Sequence, residues 1–137
     1  MPLGELLCEY VGTITSVKVL PFEGTEFGAK YEVTQTGSST GRLHTSAIGS
    51  NYVQVHPDGT STTKYYGIWT TQQGEPILVE SGGMSAPLGD GRVRFGTTVK
   101  FRTRSEAYAW LNTTMAGFEG EGNFSTMEIS GRIYEWR

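Results

Sequence analysis

Tyr65 and Tyr66 stand side by side in the chain, Glu80 closes the run Ile77-Leu78-Val79, and His44 lies among Leu43, Thr45 and Ser46. These residue types can move a proton without help from a cofactor. A phenol can orient or protonate a substrate oxygen. A carboxylate drawn into an apolar pocket has its pKa raised toward the range of a general base, and an imidazole can take that place. The reading assigns Tyr66 as acid or orienter, Glu80 as base and His44 as the substitute base. Asn51 and Asn112 carry amides able to fix a carbonyl. Trp69, Tyr108 and Trp110 could form the apolar walls. Each assignment has a plainer counterpart. Aromatic residues at strand spacing serve as core, an Asn beside a turn serves as its cap, and His44 can be a satisfied structural histidine. Strand parity puts Glu80 on the face opposite Ile77 and Val79. Of Tyr65 and Tyr66, one must face inward and one outward, and the sequence leaves open which.

Other chemistries are excluded more firmly. The chain has no phosphate-binding loop, dinucleotide fingerprint or nucleophile elbow. Its two histidines and single cysteine give no zinc spacing, so no metal and no cofactor is expected. Cys8 has no intramolecular partner for a disulfide. A net charge of −3 argues against nucleic acid as a partner, because phosphate binding needs a basic excess. No N-terminal apolar run resembles a signal peptide and no segment reaches membrane-spanning length. A soluble cytoplasmic protein is therefore expected, with no membrane partner.

The elements that must position these side chains are strands. Arg92 to Arg102 alternates with period two: Val93, Phe95, Thr97, Val99 and Phe101 on one face, Arg92, Arg94, Lys100 and Arg102 on the other. That is a strand with a dry side and a wet side. Further strands are expected over Leu6–Val19, Ala29–Thr36, Arg42–Ile48, Asn51–His56, Thr62–Thr71, Ile77–Ser81 and Phe124–Trp136. Pro21–Gly28, Gly37–Gly41 and Gly117–Gly122 read as loops or turns, and Gly82–Gly91 as a rim loop or lid. Pro57-Asp58-Gly59 is a strong turn. Ser105–Asn112 could hold one helical turn. Nineteen glycines among β-formers, with no amphipathic helix, point to an all-β protein. The expectation is one domain over residues 1–137: a closed antiparallel β-barrel of about eight to nine strands with little helix.

Several segments resemble, in order, a family of small β-barrels found in bacteria and fungi, domain-of-unknown-function family three-two-three-seven. Thr36-Gly37-Ser38-Ser39-Thr40-Gly41-Arg42-Leu43 is similar to its Gly-rich segment ending in Gly-Pro-x-Leu, with Arg42 in the Pro region. Gly49-Ser50-Asn51-Tyr52, followed by Pro57-Asp58-Gly59, resembles its Gly-Gly-Asp-Trp block and downstream turn. Thr71-Gln72-Gln73-Gly74 sits where the family has Thr-x-Asp-Gly. Tyr108-Ala109-Trp110-Leu111-Asn112 is similar to its Tyr-x-Trp-Leu-Asn block, the most specific of the set. The resemblance implies a compact antiparallel barrel comparable to calycin or allene-oxide-cyclase-like barrels, and little about chemistry. Asn51 replaces the family's usual Asp, and Tyr66 falls near a frequent Arg. If those positions carry function, this chain has a neutral, phenol-and-amide version suited to an uncharged, polyketide- or terpenoid-like ligand.

The functional expectation is a cofactor-independent isomerase, cyclase or dehydratase-type lyase, acting on a small hydrophobic oxygenated metabolite inside the barrel. Secondary-metabolite biosynthesis is the expected setting. The alternatives are a non-catalytic carrier barrel, or an oligomeric interaction module that uses the aromatic surface or the basic face of 92–102. A homo-oligomer is compatible with all three.

Overall fold

Residues 4–22 and 28–136 are described by a computed structural model. Eight strands follow one another: β1 (Leu6–Val19), β2 (Lys30–Gly41), β3 (Thr45–Val55), β4 (Ser61–Thr71), β5 (Pro76–Gly89), β6 (Arg92–Thr103), β7 (Met115–Asn123) and β8 (Glu128–Glu135). Each pairs antiparallel with its neighbours in the chain, and β8 returns to pair with β1, so the sheet closes into a barrel. Closure leaves no unpaired strand edge in this sheet. A single 3-10 turn, η1 (Ala109–Thr113), lies between β6 and β7.

The alternation read in residues 92–102 is what β6 displays. Val93, Phe95, Thr97 and Val99 line the interior, Phe101 is buried, and Arg92, Arg94, Lys100 and Arg102 are exposed. Two of these cations meet acids on neighbouring strands, Arg92 with Glu121 at 3.5 Å and Lys100 with Glu80 at 3.4 Å. Both pairs are solvated and contribute little to stability. The basic face is thus partly neutralised across the strands.

Several glycine- and serine-rich stretches that read as turns are strand instead. Gly37–Gly41 belongs to β2, Gly82–Gly89 to β5, and Gly117–Gly122 to β7. The expected rim loop reduces to a tight turn at Gly89-Asp90-Gly91, where all three residues have positive φ. The two short strands read over 42–56 are largely one, β3, and Phe124–Met127 is the turn before β8. Part of the loop expected at 21–28 lies outside the described residues. At Gly37 the physical reason for a glycine inside the strand is close approach, since the Tyr10 ring lies where a Cβ would stand; at Gly83 it is the backbone of the neighbouring strand at Gly96 that leaves no room.

One end of the barrel is filled. Leu7, Leu43, Ile77, Leu111 and Ile133 are fully buried there with Trp69, and Tyr108 and Trp110 pack against this cluster. Arg42 caps it from outside, its guanidinium carbon 4.7 Å from the centre of the Trp110 ring. The aromatic block of residues 108–112 is therefore a plug, with Leu111 as its buried tooth. The other end stays hollow.

Candidate active site in the barrel interior

The hollow part is a cavity of about 450 Å³, bounded at depth by Trp69 and Ile133 and toward the end away from η1 by Val17, Val55 and Phe124. Its size suits a small organic molecule. Among the described residues, those lining it include no Asp, Glu, Lys, Arg or His. The wall is mostly aliphatic and aromatic, with hydroxyls from Ser61, Thr63, Ser81, Ser85 and Thr97.

The polar groups that converge are Tyr10 on β1, Gln35 on β2, and Tyr65 and Trp69 on β4. The Gln35 amide nitrogen donates to the Tyr10 hydroxyl at 3.2 Å. The Trp69 indole N–H donates to the Tyr65 hydroxyl at 3.0 Å. Trp69 also stacks on Tyr10, with ring centres 5.5 Å apart and planes 17° from parallel. All four side chains are buried. Burial pushes the Tyr10 hydroxyl well above the ordinary phenol range; the neighbouring Tyr65 adds to this and the Gln35 hydrogen bond opposes it. Burial likewise raises Tyr65, against hydrogen bonds from Trp69 and Gln35. Both phenols therefore stay protonated and keep an O–H to donate.

The chain builds this cluster with a repeated device. Tyr10 lies along its own strand over Gly12 and the cross-strand Gly37, which pair with each other. A Cβ at Gly12 would stand 2.8 Å from the Tyr10 hydroxyl. Tyr65 lies in the same way over Gly67 and its cross-strand partner Gly49. Each phenol is laid flat on a two-glycine platform, so its oxygen is held by the wall rather than left to rotate in the cavity.

Placement of the expected site residues is mixed. Trp69 and Asn51 line the cavity. Tyr65, not Tyr66, is the inward phenol. Tyr66 and Glu80 are directly paired across β4 and β5 and lie on the outer face, both exposed. Tyr66 packs edge-on against Tyr52 there, and Glu80 meets Lys100. His44 is exposed in the turn before β3. The assignment of Tyr66, Glu80 and His44 as an interior acid/base set is corrected accordingly: strand parity turns the first two outward, and His44 precedes the strand. Tyr108 and Trp110 belong to the plug and do not line the cavity. Asn112 is exposed and holds the chain beside η1, accepting from the Thr103 N–H at 2.8 Å and donating to the Thr103 carbonyl at 2.9 Å. That is the turn-fixing role open to it from the start.

Tyr10 and Gln35 were not singled out from the sequence. A signal existed for the two tyrosines, in Tyr10-Val11-Gly12 and Tyr65-Tyr66-Gly67, where a Tyr precedes a strand Gly by one full pleat. Gln35 had none, since an inward amide between Thr34 and Thr36 looks like any polar strand residue.

No protein-family model matches the chain, and no curated protein matches it. Solved structures do. A protein of unknown function from Clostridium acetobutylicum ATCC 824 superposes with a TM-score of 0.84 at 16% identity, over 97% of each chain. A β-barrel-like protein from Acinetobacter baumannii AYE gives 0.84 at 18% identity, over 100% of this chain and 98% of that one. A protein described as an enzyme, from Penicillium herquei, gives 0.64 at 21% identity, over 97% and 96%. At these identities the likeness establishes the barrel fold, one of whose bearers is an enzyme.

Proposed function

We propose that this protein binds a small, largely apolar, oxygen-bearing molecule inside its barrel and acts on it without a cofactor, as an isomerase, cyclase or dehydratase-type lyase. The observation that carries the reading is the meeting of two buried, protonated phenols, Tyr10 and Tyr65, with the Gln35 amide in a cavity whose lining, among the described residues, carries no charged side chain. Such donors stabilise negative charge that develops on a substrate oxygen, and they do so more strongly where water is excluded. The walls fix one conformer of the substrate, which lowers the entropic part of the barrier. Tyr65 and Tyr10 are the acids or orienters in this scheme. Trp69 holds Tyr65 and stacks on Tyr10, and Asn51 offers a second amide. The barrel shared with the Penicillium herquei enzyme agrees with this reading.

A second reading, a carrier without turnover, is favoured by the lack of any carboxylate or imidazole among the residues lining the cavity. One experiment separates the two. The protein is incubated with a panel of hydroxylated aromatic and terpenoid ketones and the mixture is analysed by mass spectrometry. The enzyme reading expects a product isomeric with its substrate, or one water lighter, whose formation falls by about 10²–10⁴-fold in Tyr65→Phe while binding persists. A compound that binds and is always recovered unchanged establishes the carrier.

A further inference from the structure

Among the described residues, two that line the cavity carry a buried polar atom without a hydrogen-bond partner, Gln35 Oε1 and Thr97 Oγ1, and the first sits beside the phenols. Gln35 is 4% exposed, and its amide nitrogen is committed to the phenol oxygens. Its carbonyl oxygen Oε1 is buried and accepts a hydrogen bond from no group among the described residues. Buried amide oxygens are nearly always paired, so an orphan carried by a residue that lines the cavity calls for a donor. The two phenols beside it supply the opposite polarity, since each oxygen already accepts a hydrogen bond and retains its own hydrogen. A carbonyl or an ether satisfies the phenols but leaves Oε1 orphaned. A hydroxyl satisfies both, donating to Oε1 through its hydrogen and accepting from Tyr10 or Tyr65 through a lone pair.

We infer that the ligand is anchored by a hydroxyl group, phenolic, enolic or alcoholic, and that Gln35 is the residue selecting it over the corresponding ether or ketone. This rests on the proposed binding of a small molecule in the barrel and goes further by naming the group recognised. Discrimination of this kind is strong because the unmatched ligand leaves a buried acceptor unpaired. The same geometry gives Gln35 a positioning role if the molecule reacts, because the hydrogen bond fixes which lone pair of the hydroxyl oxygen faces the phenols.

The test is isothermal titration calorimetry at neutral pH with 2-naphthol and with 2-methoxynaphthalene, two probes of one ring system that differ by methylation of the oxygen. Partition into an apolar cavity alone favours the ether, so the sign of the preference is itself diagnostic. The wild type is expected to bind 2-naphthol at least about 10-fold more tightly, a difference of about 1.4 kcal/mol. In Gln35→Met, which keeps the length of the side chain without the acceptor, the ratio should fall to within about two-fold. Tyr66→Phe, on the outer face, should leave the ratio as in the wild type. Equal binding of the two probes, or preference for the ether, overturns the hydroxyl inference and leaves the cavity reading standing. A preference that survives Gln35→Met overturns the assignment to Gln35. Failure of both probes to bind overturns the cavity reading and this inference together. Should Gln35→Met fail to fold, the wild-type ratio alone decides the hydroxyl preference.

Discussion

Tyr10, Tyr65 and Cys8 share one electrostatic consequence of burial. Each is neutral when protonated, and removal from water disfavours its anion. The Cys8 thiol is pushed up to about 12 from an ordinary value of 9.0, by burial, and both phenols are raised above their ordinary 10.0. Above those ordinary values the unfolded chain releases protons that the folded chain still holds. Stability therefore falls with rising pH there. The contribution is intact below about pH 9 and is lost as the pH climbs through the folded-state values. Thermal denaturation at a series of alkaline pH values should show a falling midpoint, and Tyr10→Phe should flatten part of the fall. A midpoint independent of pH across that range would contradict the raised titration of these phenols.

In the strands, β3 and β4 show why inward parity alone does not make a site. Tyr65 and Tyr66 are chemically identical and adjacent, yet one is buried in the cavity and the other is 48% exposed. Parity places Tyr65 inward and Tyr66 outward, and the glycine platform, Gly67 with Gly49 across the ladder, then seats the inward ring against the wall. Replacing Gly67 by Ala puts a methyl group into the Tyr65 ring, an overpacking expected to cost about 1–3 kcal/mol. In a Tyr65→Ala background the ring that the methyl group would meet is gone, so most of that cost should disappear. The coupling from a double-mutant cycle by denaturant unfolding should be about 0.5–3 kcal/mol. Additive effects would mean that the glycines serve some purpose other than seating the phenol. The same close approach accounts for the difference at Gly37 and Gly49, which read as a turn and as a break between strands. Both weaken the local β signal, yet the fold needs them within strands because the Tyr10 and Tyr65 rings lie across them. Composition sees a turn-former, while the sheet sees a missing Cβ.

For the molecule as a whole, closure converts eight alternating strands into one interior, and that much was legible in the sequence. The dry face of residues 92–102 is the cavity wall, the turn at Pro57-Asp58-Gly59 forms, and the aromatic block marks a distinct structure. The candidate site was less legible, because a barrel site is assembled across strands and sequence spacing carries no cross-strand distances. Trp69 and Asn51, an aromatic and an amide that read as wall and anchor, do line the cavity. Glu80 and Tyr66 were chosen for their chemistry, although the parity of Glu80 opposite Ile77 and Val79 already pointed it outward. Gln35 becomes visible only when β1, β2 and β4 bring it beside two phenols.

Small-molecule binding inside the barrel, and not on its outer face, is what the proposed function requires. Ser81 points into the cavity from β5 and is 7% exposed, so Ser81→Phe fills the cavity from within with space for the added ring. The decisive measurement is calorimetric titration of 2-naphthol into the wild type, Ser81→Phe and Glu80→Gln, each first shown to be folded by circular dichroism. The account predicts that Ser81→Phe weakens binding by at least about 10-fold, whereas Glu80→Gln, one residue away but facing outward, leaves it unchanged. Unimpaired binding in Ser81→Phe together with loss in Glu80→Gln would place the site on the outer face and contradict the account.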